Sequence, residues 1–96
     1  MKARLSARAR REVLRIDENW RTRADHKTLF VDELEAMLTK LGRDSNLGTR
    51  YDALTRERIL RTRLRRSQYY VYYTMNDDEV VVLSVWSALR GQQPRL

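Results

Sequence analysis

The chain has 96 residues, no cysteine and a net charge of +7. That length fits one domain, and the missing cysteines exclude disulfides, thiol catalysis and the usual zinc ligands. A sequence pI of about 10.4 points to polyanions or acidic proteins as partners, and no apolar run approaches the roughly 20 residues of a membrane span.

The opening stretch MKARLSARARREVL lacks the apolar core of a signal peptide, which argues against export and fits a cytoplasmic chain. KARL reads as a short edge strand. Ser6 follows as an N-cap, because its hydroxyl can accept from a free backbone N–H. Ala9, Val13, Ile16 and Trp20 then recur on one helical face, which predicts a helix over 6–23. Asp25 is placed to cap a second helix over 26–41, whose apolar face is Phe30, Leu34, Met37, Leu38 and Leu41. Gly42 stands where a left-handed C-cap is expected. Two amphipathic helices with so short a link predict a helical hairpin.

GRDSNLGT is turn chemistry. RYDALTRER reads either as irregular chain or as a short helical turn. After Glu57 the period shortens to two: Leu60, Thr62 and Leu64 alternate with Arg61, Arg63 and Arg65. That is a half-buried strand with a basic outer face, flanked by Arg56, Arg58 and Arg66. RSQ is a tight turn and YYVYYTM a second strand. NDDE breaks it as a hairpin loop, and VVVLSVW has the β-branched apolar run of a central strand. RGQQPRL is polar and holds Gly91 and Pro94, so residues 90–96 are expected to be a loosely held tail of the single domain 1–96. The order predicts an α+β fold: a short N-terminal strand, a two-helix hairpin, then a three-stranded antiparallel meander with both helices on one face. Trp20 and Trp86 both sit on apolar faces and are expected in the core.

Catalytic signals are sparse. His26 is the single histidine and lies at the expected helix start, which suits a surface or helix-end role better than catalysis. No glycine-rich phosphate loop or nucleophile elbow occurs, and no metal-ligand set, so neither a cofactor nor a metal is expected. Asp77, Asp78 and Glu79 read as turn formers rather than an acid–base pair. The informative region is RTRLRRSQYYVYYTM. Parity places Tyr69, Val71, Tyr73 and Met75 on one face and Tyr70, Tyr72 and Thr74 on the other, beside the arginines. Such a face can stack bases, anchor a protein partner, or be plain solvated surface. The candidate binding residues are Arg61, Arg63, Arg65, Arg66, Tyr70, Tyr72 and Arg90.

The segments LSARARREVLRI, FVDELEAMLTKL, RDSNLG and RLRRSQYYVYYTMNDDEVVVLSVWSALRG, taken together, resemble the RelE/ParE superfamily of bacterial type II toxins over essentially the whole chain. The specific part is R-x-x-Y-Y-V-Y-Y, the acidic hairpin, V-V-V-L-x-V-W and S-A-L-R-G. The resemblance implies a cytoplasmic toxin neutralised by a cognate antitoxin, with promoter DNA reached only through that antitoxin. It also divides by mechanism. A RelE-like member would cleave mRNA on the ribosome, here with Arg61, Arg63, Tyr70 and Arg90, whereas a ParE-like member would inhibit DNA gyrase without hydrolysis. Tyr70 stands where an arginine is common in the family, Ser87 where a histidine is common, and no tyrosine follows Tyr73. Arginine stabilises charge but is a poor proton shuttle, so these departures favour the ParE-like branch.

Overall fold

A computed structural model describes residues 1–51 and 58–96. In chain order the elements are β1 (Lys2–Leu5), α1 (Ala7–Arg21), α2 (Leu29–Arg43), β2 (Thr49–Tyr51), β3 (Ile59–Leu64), β4 (Tyr69–Met75) and β5 (Glu79–Ser87). The five strands form one sheet in the order β1-β5-β4-β3-β2. β3, β4 and β5 are the antiparallel meander read from the sequence. β1 lies parallel to β5 with Lys2 opposite Glu79. β2 is an added antiparallel edge on β3, where the sequence predicts turn at Thr49 and irregular chain or a short helical turn from Arg50. Arg56 and Glu57 lie outside the described residues.

Ser6 caps α1 as its residue type predicts, its hydroxyl accepting from the Ala9 N–H at 3.0 Å, a contact worth about 1 kcal/mol. The second helix begins later than expected. His26 adopts φ 62°, which breaks the helical path, and the N-cap is Thr28 rather than Asp25. The Thr28 hydroxyl donates to the Asp32 carboxylate at 3.0 Å. Gly42 is also corrected: it lies inside α2 and no glycine has positive φ. Its role is steric, since a Cβ there would come within 2.7 Å of the Met1 carbonyl oxygen.

Both helices pack on one face of the sheet. Trp20 of α1 and Phe30, Leu34 and Leu41 of α2 meet Leu60, Leu64, Val71, Tyr73, Val80, Val82 and Val85. Each such large apolar side chain contributes about 1.5–3 kcal/mol on burial. Tyr69 closes the end of this core: its ring lies 4.9 Å from Phe30, and its hydroxyl accepts the Trp20 indole N–H at 3.3 Å.

One irregularity decides what the other face displays. The β4–β5 register shifts between Tyr72 and Tyr73, so that Tyr72 faces Ser84 while Tyr73 faces Val82. The extra residue is a β-bulge in β5, and it reverses inside and outside for the residues beyond it. Ser84 and Val85 are both buried, whereas Trp86 is only half-buried and pairs with Tyr70. Trp86 is therefore not a core residue like Trp20; it belongs to the outer face.

Candidate functional site: an arginine–aromatic cleft on the outer sheet face

β3 alternation sends Leu60, Thr62 and Leu64 toward the helices and Arg61 and Arg63 outward. The register then sets Arg61 beside Tyr72 and Arg63 beside Tyr70. The Arg61 guanidinium lies over the Tyr70 ring at 4.1 Å and reaches toward Tyr51 at 5.7 Å, while Arg63 lies 5.7 Å from Tyr70. Past the end of β5 the chain turns back. Arg90 comes over the Trp86 ring at 4.4 Å, and the Trp86 indole N–H donates to the Gln92 carbonyl at 2.8 Å. The Tyr51 hydroxyl donates to the Gln93 side-chain oxygen at 2.9 Å, Pro94 is buried, and Arg8 donates to the Arg95 carbonyl.

These parts enclose a cleft of ≈ 200 Å³ lined by Arg61, Tyr70, Tyr72, Trp86, Arg90, Gln92 and Gln93, with Ser87, Ala88 and Gly91 completing the wall. Of the residues singled out in the sequence, Arg61, Tyr70, Tyr72 and Arg90 line it together. Arg63 borders it on the exposed side, its guanidinium donating to the Gln68 side chain. Arg65 and Arg66 are elsewhere: both are exposed in the turn after β3, where the Arg65 carbonyl accepts from the Gln68 side chain and the Arg66 N–H donates to Glu33. Sequence reasoning missed Trp86, Tyr51, Gln92 and Gln93. Only the bulge brings Trp86 round, and no residue type announced it.

Tyr72 is on the outer face but not displayed, with 1% of its surface exposed. The Tyr51 ring meets it edge-on at 4.8 Å and Tyr70 at 6.2 Å. Burial raises the pKa of its hydroxyl, outweighing the hydrogen bond and positive charge of Arg61 beside it. Tyr72 is therefore held neutral and is a weaker acid than free tyrosine. His26 lies in the link between the helices and does not line the cleft. Asp77 and Asp78 sit in the β4–β5 turn, where the Asn76 side-chain oxygen accepts the Asp78 and Glu79 N–H groups at 2.8 and 2.9 Å. Among the described residues no cluster of three or more metal-type ligands occurs, and no helix is long and apolar enough to cross a membrane.

Comparison with known proteins fits this architecture. A solved structure described as "Chromosomal ParDE TA system from P. aeruginosa" superposes with a TM-score of 0.72 at 12% identity, covering 91% of this chain and 95% of that one. No curated protein sequence matches. The superposition defines the class by fold alone, an α+β protein with a two-helix layer on one face of the sheet. The family model described as "ParE toxin of type II toxin-antitoxin system, parDE" matches residues 3–91. The chain belongs to this ParE toxin family.

Proposed function

We propose that the protein is a growth-inhibiting toxin that blocks DNA gyrase by binding rather than by hydrolysis, and that a cognate antitoxin neutralises it in the cytoplasm. The observation that carries the non-hydrolytic reading is the protonation chemistry of the cleft. Among the described residues its titratable side chains are Arg61, Arg90, Tyr70 and Tyr72. Arginine stays protonated, and burial moves Tyr72 away from a general base's range. The outer face is then a docking surface, with arginine and aromatic side chains of the kind that dominate protein interfaces. A purified gyrase assay on plasmid DNA tests the proposal. Stalled supercoiling with accumulating cleaved plasmid, reversed by antitoxin, is the expected result. Unaffected supercoiling at excess protein overturns it.

A second reading, a ribosome-dependent mRNA endoribonuclease, draws on the two arginines stacked on aromatic rings in one cleft. It requires ribosome-bound mRNA to be cut, and cutting that persists with alanine at Arg61 and Arg90 removes it.

A further inference from the structure

We propose that the cleft between Arg61 and Arg90 is a binding site for a phosphate group. The proposal does not depend on the gyrase reading, because it concerns the purified chain and a small anion.

Two observations carry it. First, both arginines lie against aromatic rings. The Arg61 guanidinium carbon is 4.1 Å from the centre of the Tyr70 ring and that of Arg90 is 4.4 Å from the centre of the Trp86 ring. A guanidinium packed against a ring keeps N–H donors at its edge for an oxyanion, and Arg61 also hydrogen-bonds the Tyr72 hydroxyl. Tyr70 and Trp86 are register partners on adjacent strands, so the two stacks stand on neighbouring parts of the sheet.

Second, the cleft is cationic. Among the described residues that line it there is no carboxylate. Among the described residues the ion pairs join Arg4 to Glu79, Arg8 to Glu12 and Arg21 to Asp17, and neither Arg61 nor Arg90 takes part. Two cations converging on one cleft repel each other, and an anion between them relieves that repulsion. Gln92 and Gln93 add amide groups to the same wall.

Size and shape select among anions. A cleft of ≈ 200 Å³ is smaller than the roughly 300–1,000 Å³ of sites that enclose drug-sized ligands. It takes the charged group and leaves the rest of the ligand outside. A carboxylate presents one planar edge to one guanidinium fork. A tetrahedral phosphate presents three oxygens and serves two forks arriving from different sides.

The test is calorimetric titration of the full chain at fixed ionic strength with pyrophosphate, adenosine monophosphate and adenosine, alongside NMR of the two indole N–H groups. Saturable binding of both phosphate ligands is expected, with the Trp86 indole signal moving and the Trp20 signal still. Affinity is expected to fall about tenfold or more in Arg61→Ala and Arg90→Ala and to hold in Arg10→Ala, which removes equal charge from an exposed position on α1. Arg61→Lys and Arg90→Lys keep the charge, and lose affinity if the stacked fork matters. Tighter binding of the monophosphate than of pyrophosphate identifies a nucleotide as the source; the reverse identifies free phosphate. Adenosine binding as well as its monophosphate, no saturable binding of either phosphate, or equal loss in Arg10→Ala overturns the proposal.

Discussion

The Glu33 carboxylate of α2 accepts the Ser67 hydroxyl at 2.6 Å. The same side chain accepts the backbone N–H groups of Ser67 at 2.8 Å and Arg66 at 2.9 Å, so one residue ties the β3–β4 turn to the helix layer. Hydrogen bonds to a charged acceptor are worth about 1.5–3 kcal/mol. Glu33→Ala should lower stability by about 2 kcal/mol, read as a shifted denaturant midpoint at unchanged slope. A midpoint within error of wild type contradicts this role.

Glu33 also makes stability pH-dependent. Partial burial pushes its pKa up, but the Ser67 hydroxyl, the Arg66 and Ser67 N–H groups and the Arg66 charge outweigh it, leaving the pKa below 4.5. A carboxyl with a lowered folded pKa contributes its stability above the unfolded value and loses it as pH falls through the folded value. Wild type should therefore lose more stability than Glu33→Gln between neutral pH and acid pH below about 4. Parallel acid profiles would remove Glu33 from the account.

The bulge has its own anchor. Glu12 of α1 accepts the buried Ser84 hydroxyl at 2.9 Å and the Val85 N–H at 3.2 Å. Glu12→Ala strands both donors, which costs about 1–3 kcal/mol. It should also disturb Trp86, read as a shift in its indole signal, while Trp20 stays put. An unmoved Trp86 would mean that the bulge holds without Glu12.

Gly48 is required by a contact rather than by its φ. A Cβ there would lie 2.7 Å from the Tyr73 hydroxyl and 2.8 Å from the Arg61 carbonyl, the latter being backbone. The glycine N–H donates to the Tyr73 hydroxyl at 2.8 Å, and that hydroxyl donates to the Ser45 carbonyl at 2.9 Å. Gly48→Ala should destabilise by about 1–3 kcal/mol through overpacking. Tyr73→Phe, which frees space but strands both partners, should cost about 1–2 kcal/mol. Thermal melts of both variants check the pair, and an unchanged Gly48→Ala melt would show that the β2 edge gives way cheaply.

His26 holds φ 62° and is exposed. A left-handed conformation costs a non-glycine residue about 1–2 kcal/mol, of which glycine's greater unfolded-state freedom offsets about half. His26→Gly should therefore raise stability by roughly 0.5–1 kcal/mol. A lower melting temperature would assign the imidazole a supporting contact.

Periodicity made the layers legible. The alternation of Leu60, Thr62 and Leu64 with Arg61 and Arg63 sets the faces of β3, and Ser6 announces its helix. What stayed hidden depends on tertiary geometry. Asp25 and Thr28 are both competent caps, and only the left-handed His26 decides between them. β2 is a few residues long, and it is a strand because β3 offers it an edge. Arg65 shares parity with Arg61 and Arg63, but the strand ends at Leu64, so parity no longer applies. The apolar run around Trp86 points it inward, and the bulge turns it to the outer face.

The parallel pairing of β1 with β5 carries a consequence for how the protein is made. Arg4 and Glu79, joined at 2.9 Å, are 75 positions apart. At about 5–20 residues per second on the ribosome, roughly 4–15 s separate the synthesis of one from that of the other. Throughout that interval the first strand has no strand to pair with, because β5 has yet to be made. The bulged segment that displays Trp86 belongs to the same late strand. The outer face is thus among the last surfaces to take shape on a nascent chain.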